Sequence, residues 1–215
     1  MRRRAFAALL ALAAVLLAGL GVWQVERRAE KLALVAAVDQ RLVTAPIALP
    51  APASWPALPP YTRVRLEGRW LPLAPALVKA VTGLGGGWWV MSPLAVRGGV
   101  VLVNRGFVPA AERDRLPVPA GQGRLSGLVR TSEPGGGFLR RNDPAADRWF
   151  SRDVAAIAKA RGLTNTAPFF VDADATAGWP RGGLTVVNFP NGHLVYALTW
   201  FALAALAGWF AWRAR

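Results

Sequence analysis

His193, the single histidine of the chain, is the residue whose type and position best suit metal chemistry. Pro190 and Gly192 precede it, so a helix can begin only near Gly192 or His193. Neutral imidazole is a metal ligand, and Tyr196 and Trp200 follow on the same helix face. Such a face predicts either edge-on ligation of a haem or an aromatic belt at a bilayer surface, with the histidine hydrogen-bonded to the adjoining domain.

The composition gives little support to other kinds of chemistry. The chain has no cysteine, which excludes disulfides, Cys-ligated metals, c-type haem attachment and a Cys nucleophile. A Ser-His-Asp triad would have to use His193 at a membrane face, so we expect no enzyme. Turn, helix-start or surface positions are expected for Asp143, Asp147, Asp153, Asp172 and Asp174. The net charge of +14 comes from scattered arginines, so no nucleic-acid partner is expected.

Two uncharged stretches, 5–23 and 194–212, predict transmembrane helices. Each would extend roughly 28 Å at about 1.5 Å per residue, enough to cross the hydrocarbon core of a bilayer. Arginines occupy the outer ends of both stretches, within the tails 1–4 and 213–215. The positive-inside rule therefore predicts that both tails are cytoplasmic and that the intervening chain lies across the membrane. Because no small-x-small cleavage site follows the first stretch, we interpret it as a retained anchor.

The region between the spans divides into a connection, 24–60, and a domain, 61–193. Gln24, Arg27, Arg28 and Lys31 recur at helical spacing, so the first helix is predicted to continue beyond the membrane with a polar stripe. A proline-rich passage then predicts an extended connection up to residue 60.

The domain is predicted to be mainly antiparallel β structure, a small sheet or barrel with a helical insertion. Strands are predicted where apolar and polar residues alternate or where a short apolar run lies between turns. These segments are 61–70, 88–91, 99–108, 123–130, 168–171 and 184–187. The glycine loops 83–87 and 135–137 lack the Lys-Ser/Thr of a phosphate-binding loop and predict strand connections. Ser151 is predicted to cap a short helix that ends near Gly162. The fold class is thus an α+β membrane protein whose two transmembrane helices bracket a β domain.

Arg105 stands beside Asn104 in an otherwise apolar predicted strand. Its charge needs a carboxylate or a group of backbone carbonyls as a partner. We therefore expect a structural or partner-facing role for this arginine.

Four blocks of sequence occur in order between and within the two spans. They are Gly21-x-Trp23-Gln24-x-x-Arg27-x-x-x-Lys31; Tyr61-x-Arg63-Val64 with Gly68; Val103-Asn104-Arg105-Gly106-Phe107-Val108-Pro109; and Pro190-Asn191-x-His193-Leu194-x-Tyr196-Ala197-x-Thr199-Trp200-Phe201. Through these blocks the chain resembles, over nearly its whole length, the surfeit-locus-one family of cytochrome c oxidase assembly factors. The segment 72–91 matches no block of that family.

The resemblance implies a factor that helps to build the haem-copper oxidase by acting on its large, haem-bearing subunit. It also implies transient binding of haem A, with His193 as the iron ligand. We expect the haem to lie against Tyr196 and Trp200, with its propionates toward Arg27, Arg28 or Lys31. The candidate protein partners are the large oxidase subunit, the haem A synthase and a second copy of the chain. Because no Ser-rich transit sequence precedes the first span, a bacterial inner membrane with a periplasmic domain is predicted.

Two other functions remain open at this point. A structural chaperone would hold a nascent oxidase subunit without binding haem. A membrane-anchored enzyme would need a catalytic constellation in the β domain, and the sequence offers none.

Overall fold

A computed structural model describes residues 2–137, 139–187 and 189–215. The helices are α1 (Arg2–Val43), α2 (Val154–Ala160) and α3 (His193–Arg213). The strands are β1 (Ile47–Ala48), β2 (Arg63–Trp70), β3 (Ala76–Thr82), β4 (Gly85–Val96), β5 (Gly99–Pro109), β6 (Gln122–Thr131), β7 (Gly136–Gly137), β8 (Arg140–Arg141) and β9 (Thr166–Ala173). The contacts divide the chain into two units, one of 1–40 with 187–215 and one of 41–186.

The first unit is a pair of apolar helices, α1 and α3, each long and apolar enough to cross a membrane. The helices run antiparallel and meet along small residues. A Cβ on Gly21 would lie 2.5 Å from the ring of Phe201, and one on Gly208 would lie 4.0 Å from Ala14. Small residues let the backbones of membrane helices approach closely, because van der Waals packing drives their association in lipid. The two predicted transmembrane helices are confirmed as apolar helices, and the chain is a membrane-anchored protein.

The second unit is built on a closed five-stranded barrel. Its sheet runs in the order β1-β2-β6-β9-β5-β4-β3, and a further pairing of β2 with β4 closes the ring through β2, β6, β9, β5 and β4. Within the ring only the β5–β9 pair is parallel. At the closure Gly68 stands opposite Val96, and a side chain there would collide with the carbonyl of Ala95. Glycine is therefore required where the two strands meet.

Alternation along the strands separates two apolar cores. The barrel interior holds Val64, Leu66, Leu94, Val101, Val103, Val129, Phe169 and Val171. The outer face, covered by α2, holds Ala76, Val78, Met91, Leu102, Trp149, Val154, Ile157 and Phe170. The predicted α+β membrane fold, with a mainly antiparallel small barrel between two helices, is confirmed.

Two local predictions about the barrel need correction. The predicted strand at 184–187 is wrong, because both edges of β9 are already paired with β5 and β6. Gly183 turns the chain at φ 73°, and the following residues make no strand. In addition, β3 occupies part of the segment 72–91, where the sequence predicted only 88–91 as a strand. It forms a hairpin with β4. The predicted glycine connection 83–87 is only partly right, because residues 83–84 make the turn and residues 85–87 belong to β4.

The cap of the short helix is also different from the prediction. Asp153, not Ser151, is the N-cap of α2, and its carboxylate accepts a hydrogen bond from the amide of Ala156 at 3.1 Å. Ser151 instead accepts a hydrogen bond from the side chain of Asn142. A carboxylate at the helix start satisfies an otherwise free amide and interacts favourably with the helix dipole.

Candidate functional site

His193 lies in the first turn of α3 and contacts α1 through Gln24. The ring nitrogen Nδ1 is 2.7 Å from Oε1 of Gln24. A carbonyl oxygen can only accept, so Nδ1 donates the hydrogen. In the neutral tautomer that carries this hydrogen, Nε2 has the lone pair. A histidine that donates one ring N–H to a fixed oxygen is oriented for ligation through its other nitrogen.

Gln24 is a residue of the candidate site whose role the sequence pattern did not reveal. It was placed in a polar stripe but given no role of its own. The sequence feature that marks Gln24 is its position as the first polar residue after the uncharged stretch of α1, at helical spacing from Arg28 and Lys31. The partner on α3 could not be identified from that pattern, because 169 residues separate Gln24 from His193.

The basic stripe continues from Gln24 along α1. At about 1.5 Å per residue, Arg28 lies roughly 6 Å and Lys31 roughly 10 Å farther along the helix axis. Arg27 is paired with Glu30 at 2.6 Å on an exposed surface, whereas Lys31 lies 5.6 Å from the ring centre of Phe189. Arg28 makes no ion pair within 2–137, 139–187 and 189–215. Arg28 and Lys31 are thus two cations beyond the histidine contact that no acid of the described residues neutralises.

The aromatic face of α3 lies beside the contact with α1. Ala197 is buried and Phe201 touches Gly21, so these two residues mark the side that faces α1. Tyr196 is 60% exposed, and Trp200 is partly buried. Both follow His193 at spacings that keep them on its side of the helix. Tyr196 and Trp200 thus lie on the same side of α3 as His193, one and two turns farther along the helix.

The ligands available near His193 restrict the kind of metal site. Among the described residues, no three His, Cys, Asp or Glu side chains come close enough to hold a metal ion. A single imidazole suits a metal that brings its other ligands with it, as haem iron brings four porphyrin nitrogens. The donor set fits an axial ligand of haem.

A second polar cluster lies in the barrel unit and contradicts one prediction. Asp172 was expected at the surface, but its side chain is only 6% exposed. Its carboxylate accepts hydrogen bonds from Asn104 at 2.7 Å, Thr185 at 2.8 Å, and Arg130 and Arg152 at 3.3 Å each. Within the described residues, every hydrogen bond to the carboxylate comes from a donor of the barrel unit, so we interpret the cluster as structural.

Arg152 joins this cluster to Glu133 as well. Its Nε donates to the Glu133 carboxylate at 3.1 Å. Burial raises the pKa of Glu133, but hydrogen bonds and charge from Arg152 outweigh the burial and lower the pKa below its ordinary value of 4.5.

Comparison with known proteins places the chain in a family. The family model described as SURF1 family matches residues 11–205. The chain is 35% identical to Surfeit locus protein 1 of Rattus norvegicus, over 89% of this chain and 70% of that protein. It is 33% identical to Surfeit locus protein 1 of Homo sapiens, over 89% and 72%, and 35% identical to a SURF1-like protein of Monosiga brevicollis, over 87% and 79%. The chain therefore belongs to the SURF1 family, known generally as cytochrome c oxidase assembly factors.

Proposed function

We propose that this chain assists the assembly of cytochrome c oxidase by binding haem A at His193 and presenting it to the large oxidase subunit. The observation that carries the proposal is the hydrogen bond between Nδ1 of His193 and Oε1 of Gln24. It orients the imidazole, and within the described residues no hydrogen bond occupies Nε2; a metal-ligating histidine adopts this arrangement.

The neighbouring residues suit an amphipathic cofactor. Haem A has two propionates at one edge and a long isoprenoid tail. Arg28 and Lys31 extend the stripe beyond Gln24 and supply charge-assisted hydrogen bonds to propionates. Tyr196 and Trp200 offer ring surface to the porphyrin, and the apolar helices below leave the tail in lipid. Arg27, which is paired with Glu30, is the weaker propionate partner.

The proposed location is the inner membrane of a bacterium, with both termini in the cytoplasm and the barrel unit in the periplasm. The orientation is supported by the placement of Arg2, Arg3 and Arg4 before one span and of Arg213 and Arg215 after the other. The haem A synthase is the proposed donor of the cofactor, and the large oxidase subunit is the proposed acceptor. No catalytic step is assigned to the chain.

A pair of substitutions at Gln24 tests the proposal. The full chain, in detergent, is purified from cells that make haem A, and haem is measured per protein. Gln24→Glu keeps an acceptor for Nδ1 and is expected to retain haem, whereas Gln24→Leu should weaken haem binding by about 10–100-fold. Equal haem content in both variants would contradict the proposed role of the hydrogen bond.

Oxidase assembly in the same cells separates haem handling from a purely structural chaperone. We expect Gln24→Leu to lower oxidase activity in parallel with its loss of haem. Normal assembly by a variant that has lost its haem would favour the chaperone function, in which the chain holds the nascent subunit without the cofactor.

A further inference from the structure

The barrel has an arginine at one end of its apolar interior. Arg105 follows Val101 and Val103 on β5 at spacings of two, so all three side chains lie on the inner face of the strand. Val101 and Val103 are fully buried. The guanidinium therefore stands where the packed core ends at the mouth of the barrel.

The charge of Arg105 is poorly satisfied by the protein. Its NH1 donates to the carbonyl of Pro117 at 3.3 Å, and the guanidinium lies 5.9 Å from the ring centre of Trp70. No carboxylate lies within ion-pair distance of it in the described parts of the chain. An arginine has five N–H donors, so most of its capacity is unused. Burial lowers the pKa of Arg105 below its ordinary value, and none of the described acids pairs with it to offset that effect.

A cavity of about 220 Å³ opens beside this arginine. Its walls are mainly apolar and include Trp70, Val103, Leu125 and Trp179. For comparison of size, an enclosed apolar cavity of roughly 150 Å³ can hold benzene. The space is therefore large enough for an aromatic ring with a short substituent.

The loop that covers the cavity is held in place by hydrogen bonds. The hydroxyl of Thr176 donates to the carbonyl of Pro180 at 2.9 Å and accepts from the amide of Gly182 at 3.1 Å. Phe107 and Arg181 exchange two backbone hydrogen bonds of 2.9 Å each, which tie the loop to β5. The cavity is thus formed before any ligand arrives, which lowers the entropic cost of binding.

The second arginine of the cavity is already neutralised. Arg124 pairs with Glu67 at 3.1 Å on the exposed side of the barrel. Among the described residues that line the cavity, Arg105 is therefore the cation that remains available to a ligand.

We propose that the barrel mouth is a binding site for a small aromatic carboxylate, with the carboxylate on Arg105 and the ring between Trp70 and Trp179. A planar guanidinium matches a carboxylate in two parallel hydrogen bonds, and aromatic walls suit a flat apolar body. The site lies wholly in the barrel unit and does not depend on haem binding at His193.

The probe is 4-fluorophenylacetate, observed by ¹⁹F NMR with the full chain in detergent micelles. 4-Fluorophenylacetamide, which has the same ring without the charge, controls for partition into the micelle. We expect the acid to broaden in the presence of the chain and to sharpen again when unlabelled phenylacetate competes. The amide is expected to bind at least tenfold more weakly. Equal broadening of acid and amide would overturn the proposal.

Variants locate the site. Arg105→Met should weaken binding of the acid by about 10–100-fold, and Arg105→Lys by less, since lysine keeps the charge but loses the planar fork. Ala177→Phe fills the cavity from its exposed rim, leaves Arg105 in place, and should abolish binding. Arg97→Met removes an exposed arginine outside the cavity and should change nothing.

Circular dichroism and thermal unfolding confirm that each variant is folded. If Arg105→Met fails to fold, Ala177→Phe decides the matter by itself. Unchanged binding in a folded Ala177→Phe chain would show that the acid binds elsewhere and would refute the site.

Discussion

Asp172→Asn is expected to destabilise the barrel unit more than any comparable change of an exposed acid. The carboxylate is almost completely buried, and four side chains of the barrel donate to it: Asn104, Arg130, Arg152 and Thr185. The amide keeps the shape of the side chain but removes the negative charge. Two arginine side chains, only 17% and 13% exposed, then lose a shared counter-ion.

The size of the destabilisation depends on which ion pairs Arg130 and Arg152 keep in the variant. Removing one partner of a buried ion pair costs about 3–5 kcal/mol. Arg152 keeps its bonds to Glu133, whereas Arg130 loses the acid it pairs with among the described residues. The loss of unfolding free energy should thus lie at the lower end of that range, about 3 kcal/mol. For a unit of this size that corresponds to a fall in Tm of about 6–12 °C.

The assay is unfolding of the full chain in detergent, followed by near-ultraviolet circular dichroism of the tryptophans. Asp174→Asn is the matched control, because Asp174 lies two residues farther along, pairs with Arg63 and is 37% exposed. An exposed pair is worth about 0–1 kcal/mol, so this variant should unfold almost like the parent. If both substitutions lower the stability equally, the burial argument is wrong.

Three further predictions concern the pH response, the helix pair and the topology. Because the pKa of Glu133 is lowered in the folded state, its contribution to stability is present above about pH 4.5 and disappears as the pH falls through the folded pKa. Glu133→Gln should therefore flatten the acidic part of a plot of unfolding free energy against pH. An unchanged plot would contradict this prediction. Gly21→Leu should separate α1 from α3 through a clash with Phe201 and so lower the haem content. Gly19→Leu, at a position with open space, should leave the haem content unchanged. Equal effects of the two substitutions would exclude a role for the close approach of α1 and α3. A cytoplasmic reporter should be active when fused after Arg215 and inactive when inserted in the barrel unit, and activity at both places would refute the predicted topology.

The membrane helices and most strands could be predicted from local sequence. An uncharged stretch long enough for a bilayer is a strong signal, and β2 shows a clear period of two from Arg63 to Trp70. The strand β3 was missed because its residues Ala76–Thr82 show no regular alternation and run into glycines. The strand predicted at 184–187 has a suitable composition, but β9 offers no free edge for it. Pairing partners are tertiary information that composition does not contain.

The polar side-chain contacts were harder to predict from the sequence than the helices and strands. Asp172 looked like a surface acid because its donors are distant in sequence, Arg130 by 42 residues and Asn104 by 68. For the candidate site, the helix start identified His193, but its partner Gln24 emerged only from the pairing of α1 with α3. Arg105 was expected to have a structural or partner-facing role. The structure shows one carbonyl contact and an adjacent cavity.

The most direct test of the account is the visible spectrum of the full chain purified from cells that make haem A, compared with His193→Ala. We predict a Soret band in the parent and its loss or shift in the variant. Membrane insertion should be intact, because the apolar residues of both helices are unchanged. Tyr196→Phe, which keeps the ring beside the histidine, should retain the band. A His193→Ala chain with the parent's spectrum and full oxidase assembly would contradict haem ligation by His193.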